Sequence, residues 1–192
     1  MQSVLRDFSE DQITADFPGQ DGVERFGVNS PSYGLSKHAP LAAYRDALGS
    51  RQFSRMFKFA CIRNPWDRLI SFYFSPHRGV RKWDREGFLQ LIGDIPPIAT
   101  HLCMPDAPTT PPYVQPLTDS VQNLDFLMRF ESLNADFSIV CEKIGITGRP
   151  LPHRNRSERA HYSRYYDEEL RELVARKYQE EIILGEYEFR GG

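Results

Sequence analysis

The stretch Met56–Tyr73, MFKFACIRNPWDRLISFY, constrains the fold more than any other part of the chain. Met56 to Ile62 is almost wholly apolar, and Phe57, Phe59 and Ile62 favour a strand. A short unbroken apolar run suits a parallel strand covered on both faces. Arg63-Asn64-Pro65 then changes the backbone. Asn64 is a good helix N-cap. Pro65, at the first helical position, brings a preset φ and lacks only a donor that would go unused there. Asp67 adds a negative charge to the first turn, which the helix dipole favours. Leu69, Ile70 and Tyr73 follow at helical spacing. The stretch therefore predicts a strand that delivers Arg63 to the mouth of a helix. In open α/β sheets ligands bind beyond the carboxyl ends of strands, and free N–H groups at a helix start favour anions.

Bulk composition narrows the classes. A chain of 192 residues is long enough for a real core and favours one domain over 1–192. A net charge of −2 argues against a general nucleic-acid binder. Cys61, Cys103 and Cys141 are far apart and form no CxxC pair, so neither a metal site nor a disulfide framework is expected. Cys61 reads as a small core residue. No run reaches the ~18 apolar residues of a membrane span. The opening Met1-Gln2-Ser3-Val4-Leu5-Arg6 is charged too early for a signal peptide, so the expectation is a cytoplasmic protein.

Arg63 and Ser71, eight residues apart within RNPWDRLISFY at a strand–helix junction, resemble the 3′-phosphate-binding segment of sulfotransferases. Those enzymes use 3′-phosphoadenosine 5′-phosphosulfate (PAPS). The resemblance is closest to the carbohydrate branch that includes the 2-O-sulfotransferases and many bacterial relatives. It implies that Arg63 and Ser71 hold the 3′-phosphate. A guanidinium fork pairs well with phosphate oxygens, and a hydroxyl adds a neutral donor. The implied fold is α/β, three-layered, with a mainly parallel sheet of the P-loop-kinase-like sulfotransferase type.

Met1 to Phe8 reads as a helix with no start signal. The family begins instead with a strand and a loop resembling P-K-x-G-[ST]-[ST], which binds the 5′-phosphosulfate. Nothing in the chain matches that loop. The expectation is a chain that lacks its first strand and phosphosulfate loop. Asp16 to Pro40 is turn-rich, through Phe17-Pro18-Gly19, Asp21-Gly22 and Asn29-Ser30-Pro31. Leu41–Leu48 has helical spacing and Gly49 stops it. His38 lies in the stretch where the resembling 2-O-sulfotransferases carry their general base. By that resemblance His38 would take the acceptor proton, with Lys37 as an electrostatic contact. An imidazole of ordinary pKa suits such a step.

Asp84–Leu91 predicts a short helix with Phe88, Leu89 and Ile92 inward. Residues 95–116 hold seven of the fourteen prolines. So long a loop is usually functional, and it reads as the acceptor-side wall or lid. Within it, Tyr113-Val114-Gln115-Pro116 resembles a cleft-lining stretch of the family, which makes Gln115 an acceptor contact. Leu124–Phe130 predicts a strand, and Asn134–Ile144 a helix ended by Gly145. The segment 149–164 carries five arginines. The family reading places Arg154, Arg156 and Ser157 against the nucleotide; the plain reading is a solvated basic loop. Asp167–Tyr178 is the clearest helix, capped by Asp167. The closing residues resemble the family's last segment, which implies an aromatic pair tucked onto the core.

The resemblance thus implies transfer of a sulfuryl group from PAPS to a hydroxyl, most naturally on a carbohydrate, with no metal, no nucleic-acid partner and no membrane span. The alternative is a catalytically impaired remnant of the fold that serves as a binding or assembly module. There, an open strand edge left by the lost first strand invites a homodimer.

Overall fold

Strand β3 (Phe59–Ile62) pairs in parallel with β4 (Phe126–Arg129), with Phe59 opposite Phe126 and Ile62 opposite Arg129. The computed structural model describes residues 2–5, 12–17, 25–29, 33–35, 39–102, 121, 123–147, 151, 157 and 159–192. Asp125 locks the entrance to the pair: its Oδ2 accepts from the Lys58 amide at 2.7 Å and from Lys58 Nζ at 2.9 Å. The apolar run beginning at Met56 yields a shorter strand than its composition predicts. Residues up to Met56 still close a turn, the Met56 amide donating to the Phe53 carbonyl at 3.2 Å, and Met56 is 45 % exposed. Ile62 is buried, whereas Phe59, Ala60 and Cys61 are half-buried.

Before the sheet come α1 (Gln2–Leu5), β1 (Gln12–Phe17), β2 (Arg25–Asn29), α2 (Leu41–Leu48) and α3 (Ser50–Phe53). The stretch read as turn-rich from Asp16 holds β2, which pairs antiparallel with β1, Gln12 opposite Asn29 and Phe17 opposite Arg25, with a register irregularity between Ala15 and Phe17. Helix α2 ends where predicted, at Gly49 with φ +74°, a conformation that costs glycine nothing. No α2 residue is fully buried, so its Leu41–Tyr44–Leu48 stripe is only a partial core face.

From β3 the chain enters α4 (Pro65–Tyr73), then α5 (Arg85–Asp94) and the short α6 (Ala99–Leu102). After β4 come α7 (Leu133–Lys143), α8 (Glu168–Lys177) and α9 (Gln179–Gly185). Two apolar clusters hold these together. The larger joins Trp66, Leu69, Ile70 and Tyr73 of α4 to Phe88, Leu91 and Ile92 of α5 and to Leu170, Val174 and Tyr178. Each fully buried side chain of this size contributes about 1.5–3 kcal/mol. The smaller joins Val4, Met128, Phe137, Val140 and Cys141, with Phe57, Phe59 and Cys61 packed against it. Helix α7 therefore covers one face of the sheet. Leu91, not Leu89, is the third buried residue of α5, and Ile144 is 38 % exposed just past the end of α7.

The carboxyl-terminal region grips the start of α4. Trp66 Nε1 donates to the Arg171 carbonyl at 3.1 Å, Tyr166 donates its hydroxyl proton to the Trp66 carbonyl at 3.0 Å, and Phe189 meets the Trp66 ring edge-on. It also grips the root of the proline-rich stretch. Tyr178 donates to the Ile95 carbonyl at 2.7 Å, Lys177 Nζ to the Gly93 carbonyl at 2.8 Å, and Glu181 accepts from the Ile98 amide. Among the described residues no helix is long and apolar enough to cross a membrane.

Candidate functional site

The junction after β3 forms as the residues dictate. Asn64 caps α4, its Oδ1 accepting from the amides of Trp66 at 3.1 Å and Asp67 at 3.4 Å, with Pro65 in the first turn. The Asn64 amide itself donates to Glu131 Oε1 at 2.8 Å, tying the turn to the end of β4. This fixes Arg63 at the carboxyl end of β3 with its side chain running along α4. Two turns into that helix, Ser71 faces the same way, and Arg63 Nη1 donates to Ser71 Oγ at 3.1 Å.

Two further residues share the cluster. Asp67 Oδ2 accepts from Arg63 Nε at 2.8 Å and also from Nη2. Asp67 Oδ1 accepts from Arg159 Nη2 at 2.5 Å, and Arg159 Nε donates to Ser157 Oγ at 3.1 Å. Arg63, Asp67 and Arg159 keep 19 %, 23 % and 12 % of their side-chain surface, so the group is sheltered yet reachable. The Arg63 guanidinium carbon stands 4.0 Å from the ring centroid of Phe130, which is 43 % exposed. A cation over an aromatic face is attracted by its quadrupole. Beyond Asp67 lies a cavity of about 460 Å³ whose walls include Asn64, Asp67, Glu131, Tyr162 and Tyr187; neither Arg63 nor Ser71 lines it.

Residues 34–87 match the model of the Sulfotransferase family. The match covers 54 of the 192 residues, from before α2 to the start of α5, and takes in the whole junction. No curated protein and no solved structure matches the chain. The mixed α/β architecture with its small parallel sheet is consistent with a sulfotransferase fold.

Of the residues singled out in the sequence, Arg63, Ser71 and Ser157 come together, Ser157 through Arg159. His38, Lys37, Gln115, Arg154 and Arg156 lie outside the described residues. Cys61 is two residues before Arg63 and half-buried. Burial first, then the carboxylates of Glu131 and Asp136, push its thiol up to about 11. Sequence reasoning gives Asp67 only a helix-dipole role and assigns the segment of Phe130 to the fold. The four-residue spacing from Arg63 to Asp67 is a legible ion-pair signal. Nothing local separates Arg159 from the other arginines of its segment, since its partner lies 92 residues away.

Proposed function

We propose that this chain is a sulfotransferase that moves a sulfuryl group from PAPS to a hydroxyl, most naturally of a carbohydrate, on a three-layer α/β fold with a mainly parallel sheet. One observation carries the reading. Within the stretch that matches the family, Arg63 from the end of β3 and Ser71 from two turns into α4 converge at 3.1 Å. The donors present there fit a phosphorylated nucleotide. A guanidinium fork and a hydroxyl suit phosphate oxygens, and the exposed Phe130 ring beside them suits stacking on a base. His38, within the matched stretch, would take the proton of the acceptor hydroxyl as the new S–O bond forms. Lys37 and Gln115 would contact the acceptor, while Arg154, Arg156 and Ser157 would close over the nucleotide. When bound, PAPS supplies the activated sulfuryl group. The chain's own residues hold its 3′-phosphate and receive the acceptor's proton.

The sequence holds no P-K-x-G-[ST]-[ST] motif, and binding of adenosine 3′,5′-bisphosphate to this chain is expected to be weaker than micromolar. The test is transfer of labelled sulfuryl groups from PAPS to a panel of glycan and phenol acceptors. His38→Ala should abolish turnover and leave bisphosphate binding unchanged. Equal turnover in wild type and His38→Ala, or no transfer to any acceptor, would overturn the reading.

A further inference from the structure

Asp67 spends both carboxylate oxygens on two arginines, one four residues before it and one 92 residues after it. We infer that Asp67 is a positioning residue for the anion site, joining Arg63 and Arg159 into one paired guanidinium clamp before any ligand arrives; this rests on the nucleotide reading above. The division of donors carries the inference. Asp67 takes the Nε/Nη2 edge of Arg63 and leaves Nη1 with Ser71. A guanidinium is a rigid planar fork, so holding one edge aims the other. The Phe130 ring, 4.0 Å from the guanidinium carbon, adds a stacking surface beside that plane. Two guanidinium groups this close would repel each other without a shared anion, and Asp67 is that anion.

Arg159 is held as firmly at its other end. Its Nε donates to Ser157 Oγ at 3.1 Å, and the next residue, Ala160, donates its amide to the Tyr165 hydroxyl at 3.0 Å. Tyr165 packs against Phe74 and Trp83 in the aromatic part of the core. Asp67 thus connects the α4 junction to Ser157, Arg159 and Ala160. A ligand phosphate that meets the Arg63–Ser71 edge meets a cation whose orientation is already fixed, which removes part of the ordering cost of binding. The carboxylate also charges for mismatch. A neutral group at this edge would face a clamp whose net charge is one positive, against which only an anion gains.

The readout is the ratio of affinities for adenosine 3′,5′-bisphosphate and adenosine 5′-phosphate, measured by calorimetry on the full chain. Wild type should prefer the bisphosphate. Asp67→Ala should lower that preference about tenfold, the loss of one well-aimed charged hydrogen bond, and Asp67→Glu should recover part of it. Arg159→Gln breaks the same link from the other side and should lower the ratio as well, which keeps the test open should Asp67→Ala not fold. The double variant should lose little more than either single one. An unchanged ratio in Asp67→Ala and Arg159→Gln, with or without a lower Tm, overturns the positioning role. A higher ratio does so too, because it makes Asp67 a competitor of the phosphate. A wild type with no preference at all overturns the nucleotide reading, and this inference with it.

Discussion

Glu181 on α9 is 1 % exposed, a rare place for a carboxylate, and the perturbation of interest is its replacement by Gln and by Ala. Its Oε2 lies 3.1 Å from Arg68 Nη2, and its Oε1 accepts from the Ile98 amide. Burial pushes its pKa up, with Arg68 and the Ile98 hydrogen bond opposing. The ion pair is geometrically poor: Arg68 Nε and Nη2 are buried without a hydrogen-bond acceptor. The 3.1 Å separation is therefore a charge contact and not a well-formed hydrogen bond, and it does not repay the cost of desolvating the carboxylate. Two consequences follow. Glu181→Gln keeps the shape and the acceptor for Ile98, so stability at pH 7 should stay within about 1 kcal/mol of wild type. Glu181→Ala strands the Ile98 amide and opens a cavity, costing about 3 kcal/mol, or about 6–12 °C in Tm for a chain of this size.

The pH dependence has a defined sign. A carboxyl whose folded pKa is raised binds its proton more tightly when folded. Its contribution is full below the ordinary glutamate range and is lost as pH rises through the raised folded value. Wild type should therefore gain stability on acidification through that window, and Glu181→Gln should lack this gain. Calorimetric Tm values between pH 4 and pH 8, taken on all three proteins, check both points. A Gln variant that falls by 3 kcal/mol at pH 7, or one whose pH profile superimposes on wild type, would refute the reasoning.

Three other outcomes are expected. Arg63→Ala should weaken bisphosphate binding by about 3 kcal/mol and Ser71→Ala by about 1 kcal/mol, with Arg63→Lys recovering little because an ammonium lacks the fork; titration calorimetry reads all three. Asn64→Ala removes the cap that accepts from Trp66 and Asp67, and thermal unfolding should show a loss of about 1 kcal/mol. The Cys61 thiol, pushed up to about 11, should resist alkylation in the folded chain at pH 8 and react quickly once urea unfolds it, as peptide mass spectrometry would show.

The central junction was legible because each of its signals is local. An apolar run, a cap, a first-turn proline and a helical stripe fall within eighteen residues, and they put Arg63 and Ser71 on one side of α4. Helix α8 was legible for the same reason: Asp167 accepts from the Leu170 amide at 2.8 Å as its capping position implies. The pairing of β1 with β2 was not, because Pro18, Gly19 and Gly22 dominate a stretch whose strands are only six and five residues long. The strand at Met56 was overextended because apolar character alone does not distinguish a strand from the turn leading into it. Within the site, Arg159, Phe130 and Glu131 join the cluster through tertiary packing. No periodicity announces contacts across 67 or 92 residues.

The account's central claim is that Arg63 and Ser71 receive the 3′-phosphate of a nucleotide, and phosphorus NMR observes that atom directly. Titrating the chain into adenosine 3′,5′-bisphosphate should shift or broaden the 3′-phosphate resonance well before the 5′-phosphate resonance, and Arg63→Ala should abolish the effect. If both resonances respond alike, or if neither moves in wild type, the phosphate does not dock at this junction and the account is contradicted.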